Sequence, residues 1–137
     1  MSDELRTVVP EGTGPVVLVV DDEPAVRDVE ARILRQRGFR VIEASSGVEA
    51  LKLIEGGLKL DLLIADLRMP ELSGEEMVRR IHTTQRDLKV LYVSGVIDRL
   101  LDERLLRVGE AFLEKPFSAD GLAEAVTLLL TGSLRKP

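Results

Sequence analysis

Two hydrophobic periods alternate along the chain. Val16 to Val20 is an unbroken apolar run rich in β-branched residues, the mark of a strand buried on both faces. From Pro24 the pattern changes: Val26, Val29, Ile33 and Leu34 fall on one helical face, with Pro24 suited to the first turn and Gly38 to the stop. Arg40 to Ala44 predicts a second strand, and Ser45-Ser46-Gly47 leads into a helix with Ala50, Leu51 and Ile54 inward, ended by Gly56-Gly57. Leu60 to Ala65 predicts a third strand, followed by a loop from Leu67 to Leu72. Ser73 and Glu76 form an S-x-x-E capping box for a helix that buries Met77, Val78 and Ile81. Lys89 to Ser94 and Ala111 to Glu114 predict the fourth and fifth strands, with a leucine-rich helix over Ile97 to Val108 between them. Ser118 caps a last helix that turns Leu122, Ala125, Val126 and Leu129 inward.

Strands that alternate with helices imply a parallel sheet covered on both faces. The expected fold is therefore α/β: a doubly wound (βα)5 flavodoxin-like sandwich with sheet order 2-1-3-4-5. Residues 15–130 make its one domain. Residues 1–14, with Pro10, Gly12 and Gly14, read as a flexible lead-in or linker remnant, and residues 131–137 as a tail.

Composition narrows the function. A chain of 137 residues that is 45% hydrophobic suits one filled core, and the lack of Trp makes that core aliphatic. The net charge of −5 argues against nucleic acid as a direct partner, since phosphate-backbone binding needs a basic surface. The absence of Cys removes disulfides, thiolate zinc sites and thiol catalysis, and suits a reducing compartment. No apolar run approaches the ~20 residues that span a bilayer, and the polar, acid-bearing start is not a secretory signal. The expected location is the cytoplasm, with no membrane contact.

In an open parallel sheet, ligands bind beyond the carboxyl ends of the strands. Asp21, Asp22 and Glu23 follow the first strand, and Asp66 the third. Ser94 and Gly95 close the fourth strand, and Glu114, Lys115 and Pro116 the fifth. The first and third strands are neighbours in the expected order, so their carboxylates converge. Such a cluster raises a pKa unless a cation sits in it, and an all-oxygen donor set selects a hard ion such as Mg²⁺. Lys115 and Ser94 would flank it, an arrangement suited to holding a phosphoryl group. Singly, an Asp at a strand end is an ordinary turn former and a lone Lys an ordinary solvated residue. The set is what points to chemistry.

The runs Val-Leu-Val-Val-Asp-Asp-Glu-Pro (17–24) and Leu-Ile-Ala-Asp-Leu-Arg-Met-Pro (63–70) with Gly74, the pair Ser94-Gly95, and Glu-Lys-Pro-Phe (114–117) resemble the response-regulator receiver domain of two-component signalling. The resemblance covers roughly residues 15 to 130. It implies a phospho-accepting switch that is not an enzyme beyond its own phosphorylation and dephosphorylation. Asp66 would be the phosphoacceptor. Asp22 would ligate Mg²⁺ directly, Asp21 would assist, and Asp66 and the backbone carbonyl of Arg68 would complete the protein ligands. Lys115 would pair with phosphate oxygens and Ser94 would hydrogen-bond the phosphoryl group. Ser94 and Phe112 would form the switch, moving the face made by strand 89–94, helix 97–108, strand 111–114 and the last helix.

The resemblance also implies partners. The phosphoryl donor would be a histidine kinase or a histidine phosphotransfer protein, docked against the helix that carries Arg27, Asp28, Arg32 and Arg35. Output would pass to a downstream protein, to a parent hybrid histidine kinase, or through a phosphorylation-dependent homodimer. The lead-in Val9 to Gly14 looks like the linker before the C-terminal receiver of a hybrid kinase. Asp98, Arg99, Asp102, Glu103 and Arg104 read chiefly as a solvated helix face. His82 reads as an ordinary surface or half-buried histidine. Two other readings compete. A haloacid-dehalogenase-like phosphatase would want a second Asp where Arg68 stands, plus a cap insertion. A degenerate receiver used only for docking would not need the complete acidic, Ser and Lys set.

Overall fold

The computed structural model describes residues 9–95 and 109–132. The helix predicted over Ile97 to Val108, with its charged residues, lies outside that range. Within it, β1 (Val16–Val20), β2 (Arg40–Ala44), β3 (Leu62–Asp66), β4 (Lys89–Ser94) and β5 (Glu110–Glu114) form one parallel sheet in the order β2-β1-β3-β4-β5. The helices are α1 (Pro24–Gln36), α2 (Gly47–Glu55), α3 (Gly74–Ile81) and α4 (Ala119–Thr131).

Side chains alternate across the sheet, so β1 feeds two cores. Val16, Leu18 and Val20 face α2 and α3, while Val17 and Val19 face α1 and α4. Both cores are almost wholly aliphatic. The predicted caps form: Ser73 Oγ accepts from the Glu76 N–H at 3.2 Å and Ser118 Oγ from the Gly121 N–H at 2.9 Å. The other half of the predicted box is spent elsewhere, because the Glu76 carboxylate pairs with Arg79 and Arg80. Gly38, at φ +92°, supplies the left-handed residue that ends α1.

Two sequence expectations shift. The third strand runs over Leu62–Asp66, two residues later than Leu60. Asp61 starts the pairing by accepting from the Val16 N–H at 2.8 Å and donating its own N–H to the Val16 carbonyl at 2.9 Å. Val29 is not a core residue. It is 50% exposed, and the buried stripe of α1 is Glu30, Ala31 and Leu34. The apolar stripe 26-29-33 misled because the inward stripe carries a carboxylate at position 30.

Candidate functional site

The carboxyl ends of β1, β3, β4 and β5 meet at one edge of the sheet. Val20 is in register with Ala65, so Asp21 stands level with Asp66 across the β1–β3 pair. Carboxylate oxygens of Asp21, Asp22 and Asp66 lie within 4.8 Å of one another. Asp21 and Asp66 are buried, at 1% and 5% exposure.

Each side chain is held by a local reason. Asp21 Oδ1 accepts from the Glu23 N–H at 2.9 Å, the turn geometry an Asp favours before a helix. The Asp21 carbonyl accepts from Arg27 Nη1 at 2.7 Å, and Arg27 is anchored in turn by Glu43 of β2 at 3.4 Å. Asp66 Oδ1 accepts from the Arg68 N–H at 3.1 Å, so the chain folds back over Asp66 as it leaves the sheet, while the Arg68 residue itself is exposed. Gly74 closes the same loop, its N–H donating to the Leu67 carbonyl at 3.3 Å.

Lys115 reaches in from the end of β5. Its Nζ is 3.3 Å from Asp21 Oδ2 and 3.8 Å from Asp66 Oδ2. The Lys115 N–H donates to the Ser94 carbonyl at 2.7 Å, which ties the two strand ends together, and the Lys115–Pro116 peptide is cis. Ser94 is buried at the end of β4, and Gly95 leaves open space where a side chain would stand. Phe112 is in register with Tyr92 and packs, partly buried, against the core shared with α2 and α3. The structure thus brings Asp21, Asp22, Asp66 and Lys115 together and sets Ser94 and Gly95 at the adjoining strand end.

One ammonium faces three carboxylates, so the site is acidic. Burial pushes the Asp66 carboxyl up to about 6, the Arg68 N–H pulls it down, the charge of Asp21 raises it and Lys115 lowers it. For Lys115, burial acts downward, but Asp21, Asp66 and Glu30 outweigh it and hold the ammonium above its ordinary value. Largely buried at Asp21 and Asp66, open at Asp22, oxygen-only and under-neutralised, the cluster fits a hard divalent cation, and it offers neither the nitrogen nor the sulfur that transition metals prefer.

Two polar residues are more deeply buried than the sequence led one to expect. Glu30 is 1% exposed and its Oε2 has no hydrogen-bond partner among the described residues. His82, read as a surface or half-buried residue, is buried: Nε2 lies 3.1 Å from the Leu88 carbonyl and Nδ1 lies 3.8 Å from Glu110. The signal for both was positional. Glu30 lies four residues before Leu34 and His82 four after Val78, each on an inward face.

The sheet order and the helices on both faces define a CheY-like, flavodoxin-like α/β domain. The sequence matches the model of the response regulator receiver domain over residues 17–127, and the chain belongs to that family, a signalling module of two-component systems. It is 40% identical over 116 residues to the sensor kinase CckA of Brucella abortus, an alignment covering 83% of this chain and 12% of that kinase. It resembles the crystal structure of the receiver domain from the hybrid histidine kinase CckA, with TM-score 0.72 and 37% identity over 85% of this chain and 99% of that one. It also resembles the response regulator TrrA of Thermotoga maritima, solved in complex with Mg²⁺-BeF, with TM-score 0.74 and 32% identity over 85% of this chain and 99% of that one. The chain spans less than half the length of the first curated relatives it matches, 12%, 45% and 8%. Among the described residues, no helix is long and apolar enough to cross a membrane.

Proposed function

We propose that residues 15–130 form a phosphoryl-accepting switch in which Asp66 takes the phosphoryl group of a phosphohistidine, on a histidine kinase or histidine phosphotransfer protein. The observation that supports it is the convergence of Asp21, Asp22 and Asp66 within 4.8 Å, with Lys115 Nζ at 3.3 Å from Asp21 and 3.8 Å from Asp66. A carboxylate is a modest nucleophile, so the protein must supply position and charge neutralisation. One Asp66 oxygen attacks phosphorus, the P–N bond to the donor imidazole breaks as the P–O bond forms, and the freed imidazole nitrogen takes a proton. Asp21, Asp22, Asp66 and the Arg68 carbonyl would hold Mg²⁺, whose chemistry is to neutralise charge on the phosphoryl oxygens.

The remaining roles belong to this chain's own side chains. Lys115 leaves Asp21 for a phosphoryl oxygen, a task for a compact mobile ammonium. Phosphorylation replaces one negative charge by roughly two and adds acceptor oxygens. The Ser94 hydroxyl donates to one of them, and Phe112 moves into the room this opens, carrying the change to the β4–β5 edge. The chain turns over only its own phosphoryl group. The donor docks beside α1, where Ala25, Val26 and half-exposed Val29 join Pro116 and Phe117 around an open apolar hollow bordered by Lys115. Output passes to a protein partner, a parent hybrid kinase or a second copy of the chain in the cytoplasm.

Incubation with Mg²⁺ and acetyl phosphate, read by intact mass, tests this. One phosphoryl group should add per chain, and chelation should slow the gain by at least about a hundredfold, the scale of losing one charge-stabilising partner. If neither acetyl phosphate nor a phosphohistidine donor adds mass, the proposal is wrong.

A further inference from the structure

On the inward face of α1 lies a buried carboxyl that the phosphoryl chemistry does not use. Glu30 is 1% exposed, and its Oε2 meets no hydrogen-bond donor among the described residues. Its stripe-mates Ala31 and Leu34 belong to the core shared with Val17, Val19 and α4. A charged carboxylate left there without a partner would be costly, and an apolar residue would fill the place without that cost. The charged groups acting on it are Asp21 at the end of β1, Lys115 at the end of β5 and Asp66 at the end of β3. Of the other charges on the packed elements, Glu43 of β2 pairs with Arg27 and Arg35, and Asp120 of α4 pairs with Arg37, while Glu124 of α4 is exposed.

We propose that Glu30 is a positioning residue that links cation loading of the acidic site to the release of a proton: it is a neutral acid while the site is empty and becomes a carboxylate when a divalent cation enters. The inference rests on the reading of Asp21, Asp22 and Asp66 as the cation site. Burial first, and then the charges of Asp21 and Asp66, push the Glu30 carboxyl up to about 8, with Lys115 opposing them. A divalent cation among the aspartates reverses the sign of the local field, which favours the charged form of Glu30 and lowers its pKa. A group whose pKa falls on binding gives up a proton, so cation affinity must rise with pH through the interval between the two values. The carboxylate then stays as an added negative charge that strengthens the hold on the cation.

The test is titration calorimetry of the intact protein with Mg²⁺ at about pH 7.5, in two buffers of different ionisation enthalpy. Dissociation constants are also measured from about pH 6.5 to 8.0. Wild type should release a measurable fraction of a proton, and its Kd should fall roughly tenfold over that span, within the limit of one proton per site. At about pH 7.5 Asp66 is already ionised, since its carboxyl is pushed only to about 6, so the proton read there is not its own. Glu30→Gln keeps the shape without the ionisation, and Glu30→Met serves if Gln disturbs the core. Either variant should bind Mg²⁺ as wild type does at about pH 6.5, release no proton at about pH 7.5, and hold its Kd within about twofold across the range. Equal proton release in wild type and variants would assign the proton to another group and overturn the inference. Mg²⁺ binding to wild type without proton release would overturn it too, while leaving the cation site standing. No Mg²⁺ binding at all would overturn both.

Discussion

Asp66→Asn abolishes phosphoryl uptake from acetyl phosphate, lowering the labelling rate by at least about a thousandfold, while the protein melts at a higher temperature than wild type at neutral pH. The first effect follows from chemistry: the neutral amide oxygen has no charge to bring to phosphorus, and one of three clustered carboxylates is gone. The second follows from burial. The Asp66 carboxyl stands at about 6 against 3.8 for an ordinary Asp, so ionisation favours the unfolded chain. For an acid whose folded value is raised, the folded state loses stability as pH climbs from about 4 through about 6 and then stays at the lower level. Asn removes that loss, a gain of about 1–3 kcal/mol at pH 7 that disappears below about pH 4. The Arg68 N–H bond to Oδ1 survives in the amide. Thermal melts at pH 4 and 7, alongside intact-mass labelling, separate a lost nucleophile from a lost fold. A variant that labels normally, or that melts below wild type at pH 7, contradicts this account.

Gly74→Ala damages the site without touching a reacting atom. A Cβ at Gly74 would stand 2.3 Å from the Asp66 carbonyl oxygen, 3.1 Å from its carbon and 3.2 Å from the Leu67 Cα. All three belong to the backbone at the end of a fully buried strand, so no flexible side chain can give way. Overpacking of this kind costs about 1–3 kcal/mol, and rigid surroundings place it at the upper end. Relief requires either α3 or the end of β3 to move. A displacement of about 1 Å at Asp66 is enough to slow transfer roughly a hundredfold. Urea unfolding and the labelling rate check it: a lowered midpoint with slowed labelling is expected, and wild-type values for both would show that the loop yields freely.

The sheet was readable from the sequence because buried parallel strands are plain apolar runs, and VVLVV admits little else. The acidic edge was readable for the same reason: Asp21, Asp66 and Lys115 interrupt the pattern where strands end. What failed to show was polarity that faces inward. Glu30 lies on the buried stripe of α1, yet a carboxylate there looks like a surface residue to any count of apolar positions, so Val29 took its place. His82, just past the end of α3, was hidden likewise, since its burial depends on the Leu88 carbonyl in the following loop and on Glu110 of β5. The start of β3 shifted because Asp61 pairs with the backbone of Val16, 45 residues away. Gly74 was visible as part of a motif, but the close approach that requires it emerges only when α3 is laid against Asp66.

Chemical trapping of the phosphorylated residue decides whether Asp66 is the phosphoacceptor. Wild-type protein phosphorylated with Mg²⁺ and acetyl phosphate is reduced with borohydride, which converts an aspartyl phosphate to homoserine, and the peptides are then mapped. Homoserine is expected at position 66 and nowhere else. Homoserine at Asp21 or Asp22, or stable phosphate recovered on His82, would contradict it.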